Sequence, residues 1–147
     1  MPNPDFEALL QRTADVNALH AALALMDWDQ QCYMPRNGSE ARAEHAGILS
    51  RMAHETFTQA STADLLDRAE KSAESEVEKA TVRVVRRDLE MATKLPSSFV
   101  EKKAKLSARA HDLWVEARQK NDFPAFEPAL TEQFELAKEE AGYLGYT

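Results

Sequence analysis

The run from Val16 to Pro35 constrains the fold more than any other part of the chain. Leu19, Leu23 and Met26 follow one stripe at helical spacing, and Leu25, Trp28 and Cys32 follow a second. A helix with one apolar stripe lies on a core, and a helix with two is packed on both sides. Asp27 and Asp29 straddle Trp28, and Pro35 closes the run. The spacing predicts the central helix of an all-helical body, spanning about 5–33 and roughly 40 Å long at ~1.5 Å per residue. Asp5 is placed to cap its start.

The rest of the chain reads as further helices. Pro35–Gly38 is a turn by composition. Ser39 is a candidate cap for a second helix, about 39–58, with Ala41, Ile48, Leu49, Met52, Ala53 and Phe57 apolar. Ser61 with Asp64 resembles a capping box before a short third helix, about 62–72, with Leu65, Leu66 and Ala69 inward. In the fourth, about 74–93, Val77, Thr81, Val84, Met91 and Leu95 form a stripe that Val82, Val85 and Leu89 widen. Lys94-Leu95-Pro96 breaks the helix, and Pro96 suits the first turn of a fifth, about 96–120. That helix presents Phe99, Leu106, Ala110, Leu113, Trp114 and Ala117, and Asn121-Asp122 marks its end. Phe123–Pro128 reads as an aromatic turn. A sixth helix, about 128–143, has Leu130, Phe134, Ala137, Ala141 and Leu144 inward and frays through Gly142, Gly145 and Thr147. Met1–Pro4 is a short lead.

The expected fold is therefore all-α. It is an elongated bundle of about five long helices and one short one, mostly antiparallel, in a single domain over 1–147. Four glycines and six prolines leave little material for many short strands and turns. Alanine carries much of the apolar content, so the core should be helix-on-helix and thin. A net charge of −7 argues against a nucleic-acid surface, which needs a basic patch. Arg83, Arg86 and Arg87 cluster, as do Lys102, Lys103 and Lys105, but both groups interleave with acids and read as solvated helix faces. With one cysteine there is no intramolecular disulfide, and no run approaches the ~20 apolar residues of a membrane span. The N-terminus lacks the profile of a secretory signal. The expectation is a soluble cytoplasmic protein, with no nucleic acid and no membrane among its partners.

No catalytic constellation emerges. His54-Glu55 begins like the His-Glu-x-x-His zinc motif, but position i+4 is Thr58, and a hydroxyl does not replace imidazole there. A di-metal carboxylate bundle needs Glu three residues before a histidine; those positions hold Asn17, Arg42, Arg51 and Ala108. Cys32 follows two acids rather than the cationic neighbours a reactive thiol needs, and reads as a small buried hydrophobe. Asp27 and Asp29 stand two residues apart on a helix and point away from each other, so one of them is expected to make a structural contact near the helix end. Glu139-Glu140 and Glu74, Glu76 and Glu78 read as solvated acids. Trp28, Trp114, Phe123 and Phe126 read as core. Catalytic, cofactor and metal residues are thus expected to be absent from the chain.

The residues nevertheless resemble a family. Met26-Asp-Trp-Asp-Gln-Gln31 with Tyr33-Met-Pro35, then Gly38-Ser-Glu-Ala-Arg-Ala-Glu44, is similar to the start of carboxypeptidases of the Taq family. Arg86-Arg-Asp88 and Ala92-Thr-Lys-Leu-Pro96 resemble the next block. Trp114-Val-Glu-Ala-Arg118, Asn121-Asp-Phe123 and Phe126-Glu-Pro128 resemble a third, and Tyr143-Leu-Gly-Tyr146 fits the ending. The resemblance implies an N-terminal helical subdomain of cytosolic zinc metallocarboxypeptidases, all-helical and commonly homodimeric, which remove C-terminal residues from peptides. It also implies that the His-Glu-x-x-His helix and a further glutamate ligand belong to a longer C-terminal part. No zinc ligand can be carried over onto these 147 residues, and the chain by itself is expected to be inactive.

Two functional expectations follow: a truncated or stand-alone subdomain of such an enzyme, or a helical interaction or scaffold module derived from it. In either case a subdomain without its catalytic part would leave apolar surface bare. Self-association, as a dimer, or a separate catalytic polypeptide is the expected partner.

Overall fold

A computed structural model describes residues 3–146, so Met1, Pro2 and Thr147 lie outside the description. Six helices follow one another: α1 (Pro4–Cys32), α2 (Ser39–Thr58), α3 (Ala60–Ser72), α4 (Glu76–Thr93), α5 (Ser97–Lys120) and α6 (Phe123–Leu144), with one turn of 3-10 helix at Arg36–Gly38. Among the described residues there is no strand. The all-α expectation holds.

Cross-helix contacts fix the directions. Asn3 bonds Ser72 and Asp5 pairs with Arg68, so α1 and α3 run antiparallel. Arg12 reaches Thr56 while Asp29 meets Arg42, so α1 and α2 do the same. Arg109 pairs with Glu40 and Arg51 with Glu101 across α2 and α5. Phe99 packs edge-on against Tyr143, with ring centroids 5.3 Å apart, and Lys103 pairs with Glu140, setting α6 back along α5. The second helix thus lies between α1 and α5. One end of the molecule is closed by α3 and α4, and the far side of α5 by α6.

The core has two parts. Leu9, Leu66, Ala69, Val82 and Leu89 join α1, α3 and α4, flanked by Phe6, Phe57, Leu65 and Val85. Phe99, Leu106 and Leu136 join α5 to α6, with Leu95 beside them. Between these, α2 offers small buried residues, Ala43, Gly47 and Ala53, which let α5 approach closely. A Cβ added at Gly47 would sit 2.6 Å from both Cγ and Cε of Lys105, so the lysine stem lies directly across that backbone. Six of the fourteen buried apolar residues are alanine, so the core is as thin as the composition suggested.

Several local expectations are corrected. The cap of α1 is Asn3, whose side chain accepts from the Phe6 N–H, while Asp5 pairs with Arg68 at 3.0 Å. Ser39 is the first residue of α2 rather than its cap, because the 3-10 turn runs straight into the helix. No box forms at Ser61; α3 begins at Ala60, and the capping box is Ser75 with Glu78 at the start of α4. Glu78 is therefore a structural acid, and the backbone N–H groups of Ser75 and Glu74 hold its carboxyl below the usual carboxylate range. The aromatic turn at Phe123–Pro128 is helical. Asp122 caps it through the Ala125 N–H, and Pro124 sits in the first turn, where a missing donor costs nothing. Val77 and Val84 face solvent, and the set that was read as widening the α4 stripe, Val82, Val85 and Leu89, is the packed one. On α6, Ala129 and Leu136 are buried and Phe134 is exposed.

The largest correction concerns α1. Leu9 and Val16 are buried and Leu19, Leu23 and Met26 half-buried, so the first stripe packs as expected. Leu25, Trp28 and Cys32 of the second stripe all face solvent, Leu25 at 67% and Trp28 at 54%. At about 100° per residue the two stripes lie on opposite sides of the helix, and this chain covers only one of them.

Candidate functional site

The structure disperses the residues that carry chemistry. His54, the start of the near-motif, is spent on architecture. One ring nitrogen lies 3.0 Å from the Ala92 carbonyl and the other 3.1 Å from the Ser97 hydroxyl. A carbonyl only accepts, so Nε2 donates and Nδ1 faces the hydroxyl. His54 thereby ties α2 to the α4–α5 corner. Glu55 pairs with Arg51, and Thr58 donates to the His54 carbonyl. With both imidazole nitrogens engaged, this donor set does not fit zinc. Among the described residues, no three His, Cys, Asp or Glu side chains converge as a metal site would require.

Asp29 pairs with Arg42, which also donates to the Met26 carbonyl, while Asp27 accepts from Gln31 at 3.0 Å. The Met26–Asp29 block and the Glu40–Glu44 block therefore meet through Arg42, which closes the end of α1 onto the start of α2. Of the arginine cluster, Arg86 joins α4 to α3 through Asp67 at 2.9 Å and Glu70 at 2.5 Å. Arg87 pairs with its neighbour Asp88, and Arg83 is exposed. Lys105 bridges Glu44 at 2.7 Å and Glu101 at 2.9 Å. Glu55, Arg51, Glu101, Lys105, Glu44, Arg109 and Glu40 form one alternating ladder between α2 and α5. The Lys105 ammonium holds the Glu101 carboxyl below its ordinary range, and the Arg109 guanidinium does the same to Glu40.

Two of the recesses involve residues singled out above or their neighbours. Trp114, Phe123 and Phe126, read from sequence as core, instead line an open cleft of about 340 Å³ at the α5–α6 corner, beside Arg118. A second recess, about 400 Å³, lies between the end of α1 and the second half of α5, with Gln30, Arg36, His111 and Asp112 on its walls. Gln30 donates to Asp112 Oδ1 at 3.1 Å and to the Ala108 carbonyl at 2.9 Å, and Asp112 Oδ2 is buried without a protein partner. Sequence reasoning missed this polar joint. Its signal was Gln30 itself, a polar residue continuing the inward stripe four positions after Met26.

A fold of packed antiparallel helices carrying blocks that resemble those of a peptidase points to the metallopeptidase class. The comparisons agree. The family described as Carboxypeptidase Taq (M32) metallopeptidase matches residues 8–147, and the chain belongs to that family. It is 32% identical over 146 residues to Thermostable carboxypeptidase 1 of Pyrococcus furiosus and 33% identical over 144 residues to Carboxypeptidase 1 of Bacillus subtilis. It covers 98% and 97% of itself but only 29% and 28% of those relatives. The chain therefore spans less than a third of the length of the curated relatives it matches. Among solved structures, the crystal structure of BsuCP superposes with a TM-score of 0.93 at 29% identity, over 99% of this chain and 30% of that one. Trypanosoma cruzi metallocarboxypeptidase 1 gives 0.69 at 34% identity, over 95% of this chain and 28% of its own. No described helix is long and apolar enough to cross a membrane.

Proposed function

We propose that this chain serves as the helical N-terminal subdomain of a cytoplasmic metallocarboxypeptidase. Removal of C-terminal residues from peptides then requires a zinc-bearing portion of the fold alongside it. The observation that carries the reading is the agreement in fold with 30% of BsuCP at a TM-score of 0.93. The engagement of His54, Glu55, Asp29 and Glu101 in structural contacts supports assigning the metal elsewhere. Activating water at neutral pH is the task a bound metal performs in such chemistry, and these residues are not arranged to hold one.

The test is a zinc measurement by plasma mass spectrometry on the purified chain, with release of C-terminal amino acids from a peptide followed in parallel. The expected result is zinc well below one per chain and no turnover. One tightly held zinc per chain together with turnover would overturn the proposal.

A further inference from the structure

We propose that the outward stripe of α1 is a docking seam for an amphipathic helix with basic flanks, supplied by the part of the M32 fold that lies outside this segment. This rests on the functional reading above and names the surface through which it would operate. Leu10, Ala14, Ala18, Ala21, Leu25, Trp28 and Cys32 recur every three or four residues, and every one of them is exposed. That is the repeat by which one helix receives another, apolar residues of the partner inserting between those of the seam. Between Leu10 and Leu25 the seam is alanine, which admits close approach. The second half ends in Trp28, braced edge-on by Tyr33 with ring centroids 5.3 Å apart.

Two observations select the occupant. The first is area. A compact monomer of this mass exposes roughly 7,600 Å². This chain exposes 9435 Å². The excess, roughly 1,900 Å², exceeds the ~800 Å² that one partner contributes to a stable interface. The relatives supply the missing mass, being more than three times as long. The second is charge. Glu7 and Asp15 border the seam, Asp29 beside it is already paired with Arg42, and the only arginine or lysine of α1, Arg12, points the other way to Thr56, Ser61 and Thr62. Two copies of α1 face to face would bring two acid-bordered seams together with no lysine or arginine of either helix between them, whereas a helix flanked by lysine or arginine meets those acids favourably.

The experiment co-expresses the full chain with the portion of Bacillus subtilis carboxypeptidase 1 outside its matched segment. That relative's own matched segment, expressed in place of this chain, sets the reference yield. Cys32, the single cysteine, reports on the seam. In the complex its reaction with a maleimide is expected to slow about tenfold or more relative to the isolated chain, because access governs thiol reactivity. Leu25→Glu and Trp28→Glu are expected to cut co-purification about tenfold or more, as placing a charge in a desolvated contact does. The pair Glu7→Lys with Asp15→Lys should also weaken it, and Phe134→Glu, on the exposed face of α6, should leave it unchanged. Circular dichroism of each isolated variant verifies that the helices remain.

A complex in which Cys32 stays reactive and Leu25→Glu has no effect would overturn the seam and leave the functional reading standing. No complex, where the relative's own segment forms one, would overturn that reading and the seam with it. An isolated chain that dimerises with Cys32 protected would assign the seam to a second copy and overturn the choice of occupant. Lysine substitutions that strengthen binding would overturn the basic flanks.

Discussion

Single side chains divide into those the fold leans on and those it merely displays, and apolar character alone does not sort them. Leu9 and Leu25 lie on the same helix, yet Leu9 is wholly buried and Leu25 is 67% exposed. Leu9→Ala would remove a side chain from the joint of α1, α3 and α4, leaving a cavity, and should cost about 2–5 kcal/mol. Leu25→Ala in the isolated chain should change stability by no more than about 0.5 kcal/mol. Urea denaturation of the two variants makes the comparison. Arg12 belongs with Leu9 in importance despite its charge. It spans α1 to the α2–α3 corner through the Thr56 carbonyl, the Ser61 hydroxyl and Thr62 Oγ1 at 2.8 Å, and Thr62 is fully buried. Nothing in the spacing of Arg12 distinguished it from a solvated cation, because its partners lie some fifty residues away.

At the scale of the element, where helices stop was easier to read than where they start. The Asn121-Asp122 and Gly145 stops were legible because left-handed backbone suits few residues; Asn121 has φ 53° and Gly145 φ 84°. Starts were harder, since several Ser, Asp and Asn residues compete to cap each one. Ser75 wins its contest and Ser39 does not. Ser75→Ala should therefore destabilise the protein by about 1 kcal/mol, within a range of 0.5–2, while Ser39→Ala should be near neutral, as thermal melts of the two would register. The first helix of the chain misled for a different reason. Its two apolar stripes suggested two packed faces, but only the stripe of Leu19, Leu23 and Met26 is packed here, because spacing does not say whether another segment covers a stripe. The blocks that carried the family resemblance fared better. Met26–Gln31 and Glu40–Glu44 turned out to be opposite sides of one joint, held by Arg42. Phe123–Pro128 was misread because two prolines look like a turn, although Pro124 falls in the first turn of a helix capped by Asp122 and Pro128 is carried inside that helix.

For the molecule as a whole, the α2–α5 ladder ties stability to acidity. Arg109 lowers the Glu40 carboxyl below 4.5, Lys105 lowers Glu101, and Lys120 lowers Glu116, while backbone donors lower Glu78. A carboxyl depressed in the folded state binds fewer protons there than in the unfolded chain. Its contribution is therefore present above the ordinary carboxylate pKa and is lost as pH falls through the depressed values. The denaturation midpoint should decline progressively once pH drops below about 4.5, and a Glu40→Gln, Glu101→Gln double variant should show a shallower decline. Urea titrations at a series of pH values between 7 and 2.5 would trace both curves.

Asn121 ends one helix and Asp122 opens the next, with no residue between them to spare. The Asp122 N–H reaches back to the Ala117 carbonyl while its side chain reaches forward to Ala125, so a single amino acid grips both rods. The two arms of the final third of the chain therefore share one anchor: neither can gain or lose a residue at that joint without breaking one of the two grips.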